Sequence, residues 1–178
     1  MIAQGKHTPQ DKAQLQEKRN ILRRRIMSWL RLRTIYMPAV SPQENDLNAL
    51  PESISLKLPS TLPRNVRDAL TFRLANVETR MREAQADDAL RQLRRLLRVT
   101  KGLWQYKFKN VGYGQKANTW ARAIIDGFKQ KITRCANRYR AARKALLVLD
   151  VDGEWQHRLL DLRDQDIRIP GRADGMWC

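Results

Sequence analysis

Residues 115–149 read QKANTWARAIIDGFKQKITRCANRYRAARKALLVL. Their apolar members, Ala117, Ala121, Ile124, Phe128, Ile132, Cys135, Tyr139, Ala142, Leu146 and Leu149, follow one another only in steps of three or four. An α-helix turns once in about 3.6 residues, so these side chains share one stripe, and the spacing predicts a long amphipathic helix from about Gln115 to Leu149. Such a stripe needs a partner. Upstream, Thr61-Leu62-Pro63 offers a cap and a proline suited to a first helical turn. Val66, Leu70, Leu74, Val77, Met81, Ala84, Leu93 and Leu97 then predict a second helix, on which Ala84, Ala86 and Ala89 allow close approach by a neighbour. Gly102, Gly112 and Gly114 mark where it stops. At about 1.5 Å per residue both helices are roughly 50 Å long, and matched lengths around a glycine-containing turn imply an antiparallel hairpin over 63–149.

Working outward, a first helix is expected over 10–37, with Leu15, Leu22, Ile26, Trp29 and Leu30 as its stripe, after a disordered start at 1–9. Pro38 ends it. Residues 38–62 hold four of the seven prolines, Pro38, Pro42, Pro51 and Pro59, with Pro63 directly after them; this stretch is a long connector, and Ser53 to Leu58 is its one short strand candidate. A short helix around Glu154 to Leu162, within an acidic segment 150–170, covers one end of the hairpin through Trp155, Leu159 and Leu162, and 171–178 form a tail. The expected fold is all-α: an elongated three-helix bundle, the first helix giving the hairpin its third surface, or an antiparallel coiled-coil hairpin.

The chain has 178 residues, 42% hydrophobic and 30% charged, which suits one domain or a helical module with tails. Thirty-five Lys and Arg against 18 Asp and Glu give +17, and a polyanionic partner is the first expectation. Two cysteines and two histidines are too few for a disulfide framework or a Cys/His zinc site. No apolar run approaches the ~20 residues of a membrane span, and Met1 to His7 lack a leader's apolar stretch, so an intracellular, soluble chain with no membrane partner is expected.

Charge is uneven: residues 1–50 carry +5, 51–100 carry +4, 101–150 carry +10 and 151–178 carry −2. Between Arg98 and Lys144, 13 basic residues face one acidic residue, Asp126, and seven of the twelve aromatics lie in the same stretch. Cations neutralise phosphates and release counterions, while exposed rings stack on bases, so this composition suits a nucleic-acid groove. The expected contacts are Lys101, Lys107, Lys109, Lys116, Arg122, Lys129, Arg140, Arg143 and Lys144, with Trp104, Tyr106 and Tyr113 as surface aromatics and Phe128 and Tyr139 in the core. The competing reading is a turn whose aromatics cap the bundle and whose lysines keep it soluble. Arg24, Arg25 and Arg31 offer a nuclear-import signal, a second phosphate contact or simply a solvated helix face.

Metal-dependent nucleotidyl transfer needs several converging carboxylates. Asp87-Asp88 stand among arginines, as do Asp161, Asp164 and Asp166, so local neutralisation accounts for both clusters. Gly112-Tyr113-Gly114 has no preceding strand and no following Gly-Lys-Ser/Thr, which makes it a turn and not a phosphate loop. His7 and His157 have no triad partners, Cys135 lies on the apolar stripe and Cys178 is terminal. No catalytic residue, metal site or cofactor is expected.

The segments Leu58-Pro59-Ser60-Thr61-Leu62-Pro63, Ala84-Gln85-Ala86-Asp87-Asp88-Ala89-Leu90, Tyr106-Lys107-Phe108-Lys109, Gly114-Gln115-Lys116-Ala117-Asn118-Thr119, Arg138-Tyr139-Arg140-Ala141-Ala142 and Leu162-Arg163-Asp164-Gln165-Asp166-Ile167-Arg168 resemble the C-terminal region of fungal KDZ (Kyakuja, Dileera and Zisupton) transposases. Arg25-Ile26-Met27-Ser28-Trp29 and Tyr36-Met37-Pro38 look like the stretch just before it, so the resemblance covers roughly residues 15–170. It implies descent from a DNA transposon. In that family the catalytic carboxylates belong to an RNase H-like domain lying upstream, and the resemblance supplies none here. The expected function is therefore a non-catalytic, nuclear helical tail that binds DNA, or RNA, through the backbone. Its rival is a homo-oligomerisation or docking module for the transposase catalytic domain, with Trp29, Leu93, Leu97 and Leu146 at the interface. A third reading has the acidic terminus fold onto the basic tip and mask it.

Overall fold

The computed structural model describes residues 8–38, 40, 49–68, 72–110 and 115–168, and among them the fold is all-α with no strand. The expected turn at Gly112 and Gly114 and the tail 171–178 lie outside the described residues. Two compact units, Met1–Leu74 and Ala75–Cys178, divide the chain.

In the first unit, α1 (Pro9–Tyr36) starts one residue before its expected position. Thr8 caps it: its hydroxyl accepts from Asp11 N–H at 3.2 Å, and the Asp11 carboxylate accepts from Thr8 N–H at 2.9 Å. Pro9 sits where its missing N–H costs nothing, and Pro38 ends the helix as expected. The apolar stripe is only partly right. Ile26 is buried and Trp29 and Leu30 are half-buried, but Leu15 and Leu22 are exposed.

The described part of the connector, 49–62, meets α1 at Pro51–Ser53, and side chains of α1 reach its backbone. Arg23 donates to Ala49 O at 3.0 Å and the Trp29 indole to Leu56 O at 3.0 Å. Arg19 donates to Glu52 Oε1 at 3.0 Å, and this bond is the main reason that the Glu52 carboxyl is held below its ordinary pKa. Ser53–Leu58 is not a strand. Its first residue closes a 3-10 turn, Pro51–Ser53, and Lys57 has φ 49°, a left-handed conformation that breaks an extended run. A second 3-10 turn, Pro59–Thr61, precedes α2 (Arg64–Asp68).

The second unit is built on α3 (Phe72–Asn110) and α4 (Gln115–Leu149). Ala86 and Ala89 pack with Tyr139, Ala142 and Leu146, while Leu93 packs with Ile132 and Cys135. Numbers rise along α3 as they fall along α4, so the hairpin is antiparallel. The small residues Ala86, Ala89 and Ala142 are fully buried at the crossing, whereas Ala84 faces solvent.

The α4 stripe is as expected from Ile132 to Leu146. The α3 stripe is not: Val77 and Met81 are 48% and 68% exposed. Ala84 and Leu93 are nine residues apart, and nine steps of about 100° place them on opposite sides of one helix. The buried line is instead Ala86, Ala89, Leu93 and Thr100. Gly102 does not end α3, which runs on to Asn110.

Within this unit the C-terminal segment supplies a third layer on the hairpin. Trp155 and Leu159 are buried in the Ala86–Leu146 cluster, and Leu162 and Ile167 pack beside Leu93 and Ile132. The Trp155 indole donates to Asp150 O at 2.9 Å, which folds the chain back after α4. Gly153 is required in this bend, because a methyl group there would overlap the Asp150 carboxylate and the Trp155 ring.

The terminal helix, α5 (Trp155–Arg158), is shorter than the expected Glu154–Leu162. Leu159 N–H still bonds to Trp155 O at 2.8 Å, but beyond it the carbonyls turn to α4: Arg143 Nε donates to Leu159 O at 3.1 Å, Tyr139 Oη to Leu160 O, and Arg140 Nε to Leu162 O at 2.9 Å. Residues 159–168 therefore form a strap along the hairpin. Burial pushes the Tyr139 hydroxyl above its ordinary pKa.

Candidate nucleic-acid interface

The strap divides the hairpin's cations into two groups. On its own flank, Arg140 pairs with Asp164 at 2.6 Å and Arg143 with Asp161 at 3.7 Å, besides their bonds to strap carbonyls. Arg158 reaches across to α3, where it pairs with Asp87 and with Glu83 at 3.1 Å. Arg140 and Arg143, expected on phosphate, thus hold the chain's own C-terminal segment. The described part of that segment, up to Arg168, runs along the body of the hairpin, between Glu83 and Leu97 on α3 and Lys129 and Arg143 on α4, and covers these two arginines; the rest of the terminus, which the third reading places on the tip, lies outside the described residues.

The other expected contacts are scattered. Lys129 is half-buried and pairs with Asp126 at 3.3 Å. Lys101 is half-buried, and Lys107 lies with its Nζ 5.2 Å from the centre of the half-buried Trp104 ring. Arg122 and Lys144 are exposed. Lys109 and Lys116 lie in α3 and α4, but their side chains, like all of Tyr113, fall outside the described residues. Of the three surface aromatics, Tyr106 is exposed, at 57%, and Trp104 is not.

The flank opposite the strap carries what the sequence reading missed. Arg138 Nη2 donates to Gln92 Oε1 at 3.2 Å, a surface bond that marks the register of α3 against α4 set by the packed core. Toward the hairpin's end, α4 next presents Arg134, Lys131 and Trp120 on the stripe of Arg138, and α3 presents Arg95, Val99 and Tyr106 on the stripe of Gln92. Arg95, Lys131, Arg134 and Arg138 are exposed, and Trp120 is the most exposed of the described tryptophans, at 62%. From Gln92 to Tyr106 this flank is about 20 Å long. No acidic residue occurs anywhere from Ala89 to Ile125, and the nearest acid on α3, Asp88, is paired with Arg91 at 2.8 Å.

The missed residues did carry a signal: Trp120, Lys131, Arg134 and Arg138 are 11, 3 and 4 residues apart, a helical spacing offset from the apolar stripe. On α1, Arg24, Arg25 and Arg31 are exposed, and Arg23, Arg24 and Arg31 line a shallow groove with Asn20, Met27 and Ser28.

Among the described residues no group of three His, Cys, Asp or Glu is placed to hold a metal ion, and no helix is long and apolar enough to cross a membrane. No family model matches the sequence, and no curated protein or solved structure matches it either.

Proposed function

We propose that this chain is a non-catalytic helical module that binds nucleic-acid backbone without strong sequence readout, as the nuclear, C-terminal tail of a KDZ transposase-like protein. The observation that carries this reading is the acid-free run from Ala89 to Ile125, continued on α4 by exposed Lys131, Arg134 and Arg138. DNA is the expected ligand, with RNA as the alternative, since phosphate neutralisation alone does not separate them. The KDZ assignment is supported by the six ordered sequence blocks.

Titration of an unrelated 30-base-pair duplex at several salt concentrations, read by fluorescence anisotropy, tests it. About six neutralised phosphates give a slope of log affinity against log salt of about −5. Weak binding with a shallow slope would leave the +17 charge to solubility or to a protein partner.

One observation favours the second reading, self-association or docking on a transposase catalytic domain. Leu93 and Leu146 are buried inside the hairpin and cannot serve as its interface, but α1 exposes Leu15, Leu22 and Tyr36, which with Trp29 repeat every seven residues. Sedimentation decides: a mass that doubles between micromolar and tens of micromolar supports α1 pairing, and a strict monomer of 20.8 kDa removes self-association.

A further inference from the structure

The strap-free flank offers more than charge. Its cations would serve a duplex and a single strand alike, because both present phosphates. Its rings would not. Trp120 and Tyr106 keep 62% and 57% of their surface in water, while Tyr139 and Trp155 of the same unit are 1% and 3% exposed. An aromatic face left in water among Arg and Lys side chains is an arrangement on which an unpaired base stacks; a duplex has its base faces already covered by neighbouring pairs.

The register marked by Arg138 and Gln92 places both rings in the outer turns of the hairpin, one on each helix, with Lys131, Arg134 and Arg95 following toward its base. A strand entering at the rings would meet its phosphate contacts next, along the same side. The apparent alternative ring, Trp104, is half-buried and covered by Lys107, which leaves Trp120 as the described tryptophan able to serve.

We propose that this flank takes single-stranded nucleic acid in preference to duplex, with Trp120 and Tyr106 as stacking platforms and Arg95, Lys131, Arg134 and Arg138 on the phosphates. The proposal rests on the nucleic-acid reading above and names its substrate class. The stack is sequence-tolerant, since every base has a π face, which agrees with recognition through the backbone.

The full chain is titrated with a 20-nucleotide oligo(dT), the matching oligo(rU), a 20-base-pair duplex and poly-glutamate, at one salt concentration. Single strands are expected to bind at least tenfold more tightly than the duplex and to quench tryptophan fluorescence. Trp120→Ala should lose about tenfold on the single strands and less than twofold on the duplex, while Trp120→Phe keeps most of the affinity. Because Trp120 is exposed, the helical circular dichroism of both variants should be unchanged. Equal duplex and single-strand affinity, or a Trp120→Ala variant that loses nothing on single strands, overturns the single-strand proposal and leaves backbone binding standing. Poly-glutamate bound as tightly as the oligonucleotides would also overturn it, in favour of an acidic protein partner. Failure of every nucleic acid to bind overturns the underlying reading itself.

Discussion

Replacing Trp155 by alanine is expected to lower the stability of the Ala75–Cys178 unit by about 3–5 kcal/mol, the range for removing a buried aromatic. Trp155 is 3% exposed and packs in one cluster with Ala86, Ala89, Tyr139, Ala142, Leu146 and Leu159. Alanines at the helix crossing cannot grow into the space it leaves. Its indole N–H also ties Asp150 O, so the bend that brings the strap back onto α4 loses its fastener. Urea unfolding followed by circular dichroism measures the effect. Leu160→Ala is the control, since Leu160 is 66% exposed and its loss should change stability by less than about 0.5 kcal/mol. A Trp155→Ala loss no larger than the control's would mean that the C-terminal segment is not a layer of this core.

The second large effect is on binding. Reversing three charges together, Lys131→Glu, Arg134→Glu and Arg138→Glu, should weaken duplex and single-strand binding by roughly a hundredfold or more near 0.15 M salt and bring the salt slope from about −5 to about −2. These side chains are exposed, and the one hydrogen bond lost, from Arg138 to Gln92, lies at the surface, so folding should be little affected. Arg140→Gln with Arg143→Gln makes the informative contrast. That pair unfastens the strap from Leu159, Leu162, Asp161 and Asp164 and should lower stability while leaving the slope nearly intact. If the strap-side pair changed the slope and the triple variant did not, the interface would lie on the other flank.

The contrast between those two sets also marks what sequence could and could not convey. α4 is legible from Ile132 to Leu146, where its apolar steps never break, whereas farther out the buried residue is Ile125 and not Ile124, and the side chains of Ala117 and Ala121 lie outside the described residues. α3 is misphased by the gap from Ala84 to Leu93, where apolar residues on opposite faces look like one stripe. The end of the chain fails differently. Glu154–Leu162 has a helical pattern, but its second half is drawn out as a strap whose carbonyls accept from Arg140, Arg143 and Tyr139, and no local propensity records a donor some twenty residues upstream. The same blindness made Arg140 and Arg143 look like free charges. Trp104 and Trp120 both read as helical aromatics near a basic turn, and which of them meets water depends on the phase of each helix against its partner.

The strap's fastenings are also short in chain distance. The bonds from α4 to residues 159–164 span 16 to 24 residues, while Arg138–Gln92 spans 46 and Arg158–Asp87 spans 71. Loop-closure entropy rises with the logarithm of the span, so doubling it costs about 0.6 kcal/mol more. α4 and its strap thus close more cheaply than the links that tie either of them to the base of α3, and contacts of low sequence separation form fastest in two-state folding. On that ground the segment after α4 is expected to fold back onto it ahead of the base of α3, and Leu159→Ala should slow folding more than an equally destabilising Leu93→Ala, as chevron kinetics would show.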